Sequence, residues 1–412
     1  MTSRERVLCA VSHRQPDRVP IDLGATPSSG ISAAAHHRYM AYLNIREKTR
    51  VYDVVQQVAE PGEALLCHCG ADVHDLERMF TLEEGYWQDA ALPDGTPVQW
   101  PASFRTRPAP DGGRLALLAD GRAAGRMPAG SNFFDQTIFP FEDGYPQDYS
   151  SLPKAMGEVV WGAFAHSPWD AAREGFYLRL RQAALKLRAQ SDRAIMLVCG
   201  CNLFEWGTFL RRIDQFLMDL IECPGEVERL LDALMEVHMS TLAQVCQAVG
   251  DVVDIIRFGD DLGMESGPFM SPSMYRALFK PRHAQLCAYV KKHSGMKTFL
   301  HSCGSIYKLL PDLIEAGYDI LNPVQTACTD MEPKRLKREF GRDITFWGGG
   351  VDTRSILNHG TKEQVRENVL ENLSVFAPGG GYVFGAIHNI LPDVPPQNIE
   401  AMFQAVREFE GR

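Results

Sequence analysis

His301 and Cys303 stand two positions apart at the end of an apolar run, in the stretch TFLHSCGSIY (298–307). Alternate residues of a strand project to the same face. An imidazole and a thiol therefore converge on one point before the chain turns at Gly304. These are donor types that zinc takes, in sites where three protein ligands leave a fourth position open. A third donor of the right kind is His388, near the C-terminus. The spacing is not that of a zinc finger. A bland reading also stands, in which Cys303 is a small buried thiol and both histidines are hydrogen-bonded interior residues.

Other chemistry-bearing residues close apolar runs in the same way. Asp260 and Asp261 end DVVDIIRFGDD (251–261), as candidates for proton transfer or as loop caps. Asn322 precedes Pro323, Trp347 precedes Gly348, and Asn389 follows His388, each at the expected end of a strand. Cys199 and Cys201 share a face in VCGCN without a histidine, and read as core. Cys67 and Cys69 flank His68 in an expected helix, where positions i and i+2 do not face each other.

The elements that must position these residues alternate regularly. Expected strands cover RAIMLVCGCN (193–202), DVVDIIRFGDD, MKTFLHSCG (296–304), YDILNPV (318–324), DITFWGGGVD (343–352) and GGGYVFGAIHNI (379–390). Between them run helical segments, among them 224–250, 271–294 with a break at Pro281, 306–317 closed by Gly317, and 361–378 capped by Thr361. A last helix covers 395–411, and RVPIDLG (18–24) supplies a first strand. Strand–helix alternation gives parallel strands with right-handed crossovers. A count approaching eight predicts an α/β fold of the (β/α)8 type, a TIM barrel formed as one domain over 1–412. In such a barrel the strand ends named above form one ring at the C-terminal face. Residues 84–150 break the pattern. Turn signals at Asp94-Gly95, Asp111-Gly112 and Asp120-Gly121 predict an inserted β-ribbon, followed by an aromatic-rich loop.

Composition narrows the partners. The 412 residues are 45% apolar and 23% charged, with a net charge of −10. That balance argues against nucleic acid and anionic membranes, and leaves a homo-oligomer open. The first twenty residues carry scattered charge and no apolar run, so they do not read as a signal peptide. AIMLVCGCNLF is too short to cross a bilayer. Ten cysteines in a chain of this length point to a reducing, cytoplasmic setting.

RQPDRVPIDLG (14–24), FLHSCGSI (299–306), DILNPVQ (319–325), TFWGGGVD (345–352) and HNILPDVPPQNIEAM (388–402) resemble, in order, segments of the uroporphyrinogen decarboxylase superfamily. The resemblance implies the (β/α)8 barrel and offers two chemistries. The decarboxylases of that family need no metal and hold a polycarboxylate tetrapyrrole with an arginine pair in a RQAGRY-like loop. The corresponding DLGATPSSGI (22–31) has no arginine, while the late GHGI histidine of that branch matches His388. The second branch holds zinc-dependent methyltransferases that work with corrinoid proteins. Their His-x-Cys matches His301 and Cys303. Their third ligand is a cysteine shortly before P-x-T-P, and aligning Pro392 and Pro395 there puts His388 in its place. Zinc accepts either residue.

The resemblance thus implies a methyltransferase or demethylase. It moves a methyl group between a small O- or S-methyl substrate, such as an aryl methyl ether, and cobalamin carried by a partner. The chain has no Asp-x-His-x-x-Gly corrinoid signature of its own. Neutral ligands on zinc favour activation of a bound ether. Asp260 or Asp261 orients a ligand histidine or supplies a proton. The competing expectation is a metal-free decarboxylase or lyase using Asp260, Asp261 and His388. Ser28 and Ser29 stand where the arginines would be, which suggests a largely uncharged substrate. Ser28, Ser29, Trp206, Trp347 and Asn322 are its expected contacts, with Phe134, Phe139 and Phe141 on the rim.

Overall fold

The computed structural model describes residues 1–164 and 174–410. Seven parallel strands hydrogen-bond in chain order: Val73–Asp75, Ala194–Gly200, Ile255–Gly259, Lys297–His301, Ile320–Asn322, Thr345–Trp347 and Tyr382–Val383. The expected first strand forms only a single bridge, from Ile21 to Phe384. The short segment from Pro20 to Asp22 closes the ring. Asp72 N donates to Ile21 O at 2.7 Å on one side. On the other, Asp22 N donates to Phe384 O and Phe384 N to Pro20 O, both at 2.8 Å. With this eighth stave the parallel sheet is a (β/α)8 barrel.

The strands are short because each is apolar only over the depth of the barrel. Inward-facing Val73, Ala194, Met196, Ile255, Phe299, Ile320, Trp347 and Val383 make one buried cluster. Ala25 and, from helix Ser3–Val11, Val7 and Val11 complete it. A larger apolar shell lies between strands and helices. Long helices form where the pattern predicts them, at Pro224–Val249 and Lys362–Phe376. Thr361 caps the latter, accepting from Gln364 N at 3.3 Å. The 271–294 segment divides at Phe279, into Pro272–Leu278 and Lys280–His293, with Pro281 in the first turn of the second helix. The closing helix is Pro396–Glu410, its last expected position lying outside the described residues.

Within 84–150 the chain forms a hairpin, Trp87–Ala91 with Pro97–Pro101. An antiparallel sheet of four strands between Arg105 and Gln136 follows. Its core is aromatic: Phe104 sits edge-on to Trp100 at 5.4 Å and to Phe134 at 5.8 Å. No helix among the described residues is long and apolar enough to cross a membrane.

The closing stave is held by Asp72, which is fully buried. Its carboxylate accepts from Arg6 Nη1 at 2.7 Å, from Arg18 Nη1 and Nη2 at 2.8 and 2.7 Å, and from Ile21 N at 2.9 Å. Removing one side of a buried charge network typically costs about 3–5 kcal/mol, because the other side is left uncompensated. Asp72→Ala is therefore expected to lose about that much stability in urea unfolding, and a change below about 1 kcal/mol would show that the seam does not depend on this carboxylate.

Candidate metal centre

Strand Lys297–His301 places His301 on the inner face, paired in register with Gly259 of the neighbouring strand. Cys303 follows in the turn at Gly304. Gly304 has φ +83°, and a Cβ there would lie 2.4 Å from the backbone of Gly263, so the turn packs directly on the 261–263 loop. That loop grips Cys303 in return, as Cys303 N donates to Asp261 Oδ1 at 2.8 Å. His388 arrives differently. The last strand ends at Val383 rather than continuing to 390 as expected, and His388 projects from the following loop with φ +63°. One ring nitrogen each from His301 and His388 and the Cys303 sulfur all lie within 4.8 Å of one another. Among the described residues this is the single His/Cys/Asp/Glu cluster with metal-holding geometry.

The hydrogen bonds select which nitrogens face the centre. Asn322 Nδ2 donates to Trp347 O at 3.0 Å, which turns its Oδ1 toward His301 Nδ1 at 2.7 Å. Since Oδ1 can only accept, Nδ1 carries the proton and Nε2 keeps its lone pair, 3.4 Å from Cys303 Sγ. Asn389 Oδ1 holds His388 Nδ1 at 3.0 Å in the same sense. A zinc ion with bonds of about 2.3 Å to sulfur and about 2.0 Å to nitrogen needs those donors roughly 3.6 Å apart. The His301–Cys303 edge already meets this, and the donor set fits the ion. Burial favours the neutral imidazole, pushing His301 down to about 3, aided by Arg257 and His388. Burial also lifts the Cys303 thiol well above its ordinary range, with Asp261 and Glu205 adding to it.

The remaining expected residues divide. Asp261 reaches the cluster, with Oδ1 3.6 Å from His301 Nε2. Asp260 does not. It is fully buried, accepts from Phe204 N at 3.0 Å and Glu205 N at 2.9 Å, and meets His283 Nε2 at 3.1 Å. It caps helix Phe204–Arg211, so its oxygens are committed to the fold. Ser28 and Asn322 stand behind His301: Ser28 Oγ donates to Asn322 Oδ1 at 3.0 Å. Ser29 turns back on Thr26 O at 3.2 Å. Trp347 belongs to the barrel floor, fully buried, with Nε1 donating to Asp22 Oδ2 at 2.8 Å. Trp206 is half-buried and packs edge-on to Phe209 at 5.7 Å, which stacks on Trp161 at 5.8 Å. Phe134 and Phe141 are buried, and Phe139 lies under Arg212 at 6.0 Å. These aromatics join the insertion to the barrel.

Sequence reasoning passed over Arg257 and Glu205. Arg257 shares the inward face with Ile255 and Gly259, a charge in an apolar strand. That break in the pattern was a readable signal. Its charge acts on His301, Cys303 and His388. Burial lifts the Glu205 carboxyl well above its usual range, reinforced by Asp261 and Asp260.

Comparison with known proteins gives four matches. The model of the uroporphyrinogen decarboxylase family matches residues 205–409. A uroporphyrinogen decarboxylase of Legionella pneumophila (strain Corby) is 38% identical over 51% of this chain and 55% of its own length. A methylated-thiol–coenzyme M methyltransferase of Methanosarcina mazei is 27% identical over 35% of each chain. The chain thus spans about half or less of the curated relatives it matches. A solved methyltransferase from Methanosarcina mazei shares the fold, with a TM-score of 0.57, 17% identity and 99% coverage of both chains.

The Asn322 bridge gives a test that is independent of turnover. Losing such a partner of a ligand histidine typically costs 10–100-fold in metal affinity. Asn322→Leu should weaken zinc binding by about that factor in competition with a chromophoric chelator. Unchanged affinity would show that the Asn322 bond does not orient the ligand.

Proposed function

We propose that this chain, which belongs to the uroporphyrinogen decarboxylase superfamily, is a zinc-dependent methyltransferase working with a corrinoid protein. The observation that carries this reading is the convergence of His301, Cys303 and His388 with their ring nitrogens oriented by Asn322 and Asn389. The methyltransferase relative from Methanosarcina mazei supports it. His301, Cys303 and His388 would hold the zinc, which when bound supplies a Lewis-acid contact to an oxygen or sulfur of the substrate.

The chain's own residues do the rest. Asn322 and Ser28 keep His301 in one tautomer, so no proton occupies the ligating nitrogen. Asp261, anchored through Oδ1 by Cys303 N, keeps Oδ2 for the proton of the departing hydroxyl or thiol. Trp347, Phe299 and Ile320 form a dry floor below the centre, which strengthens each electrostatic contact above it. A corrinoid partner over the C-terminal face would supply the cobalt that accepts the methyl group from the substrate heteroatom. The freed heteroatom keeps the bonding electron pair and takes the proton.

A metal-free decarboxylase is the competing reading, and the relative from Legionella pneumophila bears that name. Against it, the 23–30 loop presents no cation to a polycarboxylate. Ser28 and Ser29 are buried, bonding within the loop or to Asn322.

The test is spectroscopic. Purified protein given a methylated small molecule and a corrinoid protein in the cob(I) state should convert it to the methyl form, and Cys303→Ala should slow this by at least a hundredfold, roughly the loss of one essential ligand contact. Carbon dioxide release from uroporphyrinogen without cobalamin, with no spectral conversion for any methyl donor, would overturn the assignment.

A further inference from the structure

Arg257 places a guanidinium beside the cluster, and among the described residues it has no ion-pair partner. Its Nε is buried without a hydrogen-bond partner. Other buried or half-buried arginines hold a carboxylate, even Arg179, whose Nε also lacks a hydrogen bond but whose Nη1 lies 3.6 Å from Glu83. Arg6 holds Asp17 and Asp72, Arg193 holds Glu63 and Ala71 O, and Arg211 holds Asp219. An arginine carries five donors in a planar fork. Leaving them unmet inside a protein is costly, so an unpartnered one in a cleft marks a place where something else supplies the acceptors.

Glu205, Asp261 and Glu77 act on Arg257 through their charge, but among the described residues no hydrogen bond or ion pair joins it to any of them, and most have other partners. Asp261 Oδ1 accepts from Cys303 N, Asp53 accepts from Val55 N, Gln56 N and Gln56 Nε2, and Glu205 accepts from Asn202 Nδ2. Burial also raises the Glu205 and Asp53 carboxyls, which weakens them as countercharges. In register, Arg257 sits between Val198 and Phe299. Neither side chain can accept a hydrogen bond. It lies two residues, about 6.6 Å along the strand, below the level of His301. That is within the length of an arginine side chain, and the Arg257 charge acts on His301, Cys303 and His388.

We propose that Arg257 anchors a carboxylate of the substrate, so that the molecule presented to His301, Cys303 and His388 is a small methylated carboxylic acid. This deepens the methyl-transfer reading and rests on it for the role of the cluster. A single guanidinium matches a monoanion, and its planar fork matches the two oxygens of a carboxylate. A phosphate dianion would leave one charge facing Asp261 and Glu205. An aromatic ring or short chain would separate the carboxylate from the methylated atom. This replaces the largely uncharged substrate suggested by the first-strand loop.

The experiment compares acids with their neutral amides by calorimetric binding: 4-methoxybenzoate with 4-methoxybenzamide, methoxyacetate with methoxyacetamide, and 4-methoxybenzenesulfonate as a third anion. At least one carboxylate should bind tenfold or more tightly than its amide. Arg257→Gln should erase that preference and Arg257→Lys should keep part of it. Arg257→Gln should also melt no lower than the wild type, since it removes unmet buried donors. No carboxylate preference in any pair, a preference that survives in Arg257→Gln, or a sulfonate bound tenfold more tightly than the carboxylate would each overturn the proposal. So would a large loss of stability in Arg257→Gln, which would mark the guanidinium as structural. Cys303→Ala separates the two readings. Acid preference retained there, with no cobalamin methylation by any variant or wild type, sinks the methyl-transfer reading and leaves the Arg257 site standing.

Discussion

The bond between Asn322 Oδ1 and His301 Nδ1 is the constraint on which the centre depends. A histidine can offer a metal only the nitrogen that carries no proton, and the other nitrogen's partner decides which one that is. Here the decision is over-determined. Asn322 cannot flip, because its amide nitrogen is fixed to Trp347 O. Its oxygen is further held by Ser28, itself bonded to Thr26 Oγ1 at 2.7 Å. The first loop, the fifth and sixth strands of the seven-stranded sheet and the His301 strand therefore act on one imidazole. That requires a closed barrel, and the seam at Asp72 and Ile21 provides it.

The arrangement explains why polar residues with no direct reach to a substrate sit at strand ends. Asp260 ties one βα-loop to the helix that follows another strand, through Phe204 N, Glu205 N and His283. Asp22 receives the indole of Trp347 and Ala25 N at 3.0 Å, and burial lifts its carboxyl to about 6. These groups convert a ring of separate loops into a rigid rim. Asp261 and Arg257 face the interior of that rim, and their opposite charges flank the donor cluster.

Much of this was legible in the sequence. Period-two patterning put His301 and Cys303 on one face, and the strand–helix alternation gave the barrel that carries them. Capping chemistry at Thr361 was readable from the residue itself, since an N-cap is a local interaction. The rest depended on tertiary contacts. The 379–390 segment reads as one strand by composition, yet the barrel's depth ends it at Val383 and releases His388 into a loop. Asp260 and Asp261 are adjacent and chemically alike, and only the position of helix Phe204–Arg211 tells the cap from the site residue. Trp347 looked like a pocket residue because strand-end position does not say whether a side chain points up to solvent or down into the floor. Arg257 was overlooked for the opposite reason: a charge within an apolar run is easily taken as a lapse in the pattern.

The central claim is that His301, Cys303 and His388 hold one zinc ion. X-ray absorption at the zinc edge of protein purified without chelators tests it directly. The account predicts a first shell of one sulfur at about 2.3 Å and two imidazole nitrogens at about 2.0 Å, with a light atom completing four-coordination, and loss of the sulfur in Cys303→Ala. A shell of nitrogen and oxygen alone that is identical in wild type and Cys303→Ala, or no bound zinc after resupply, would contradict it.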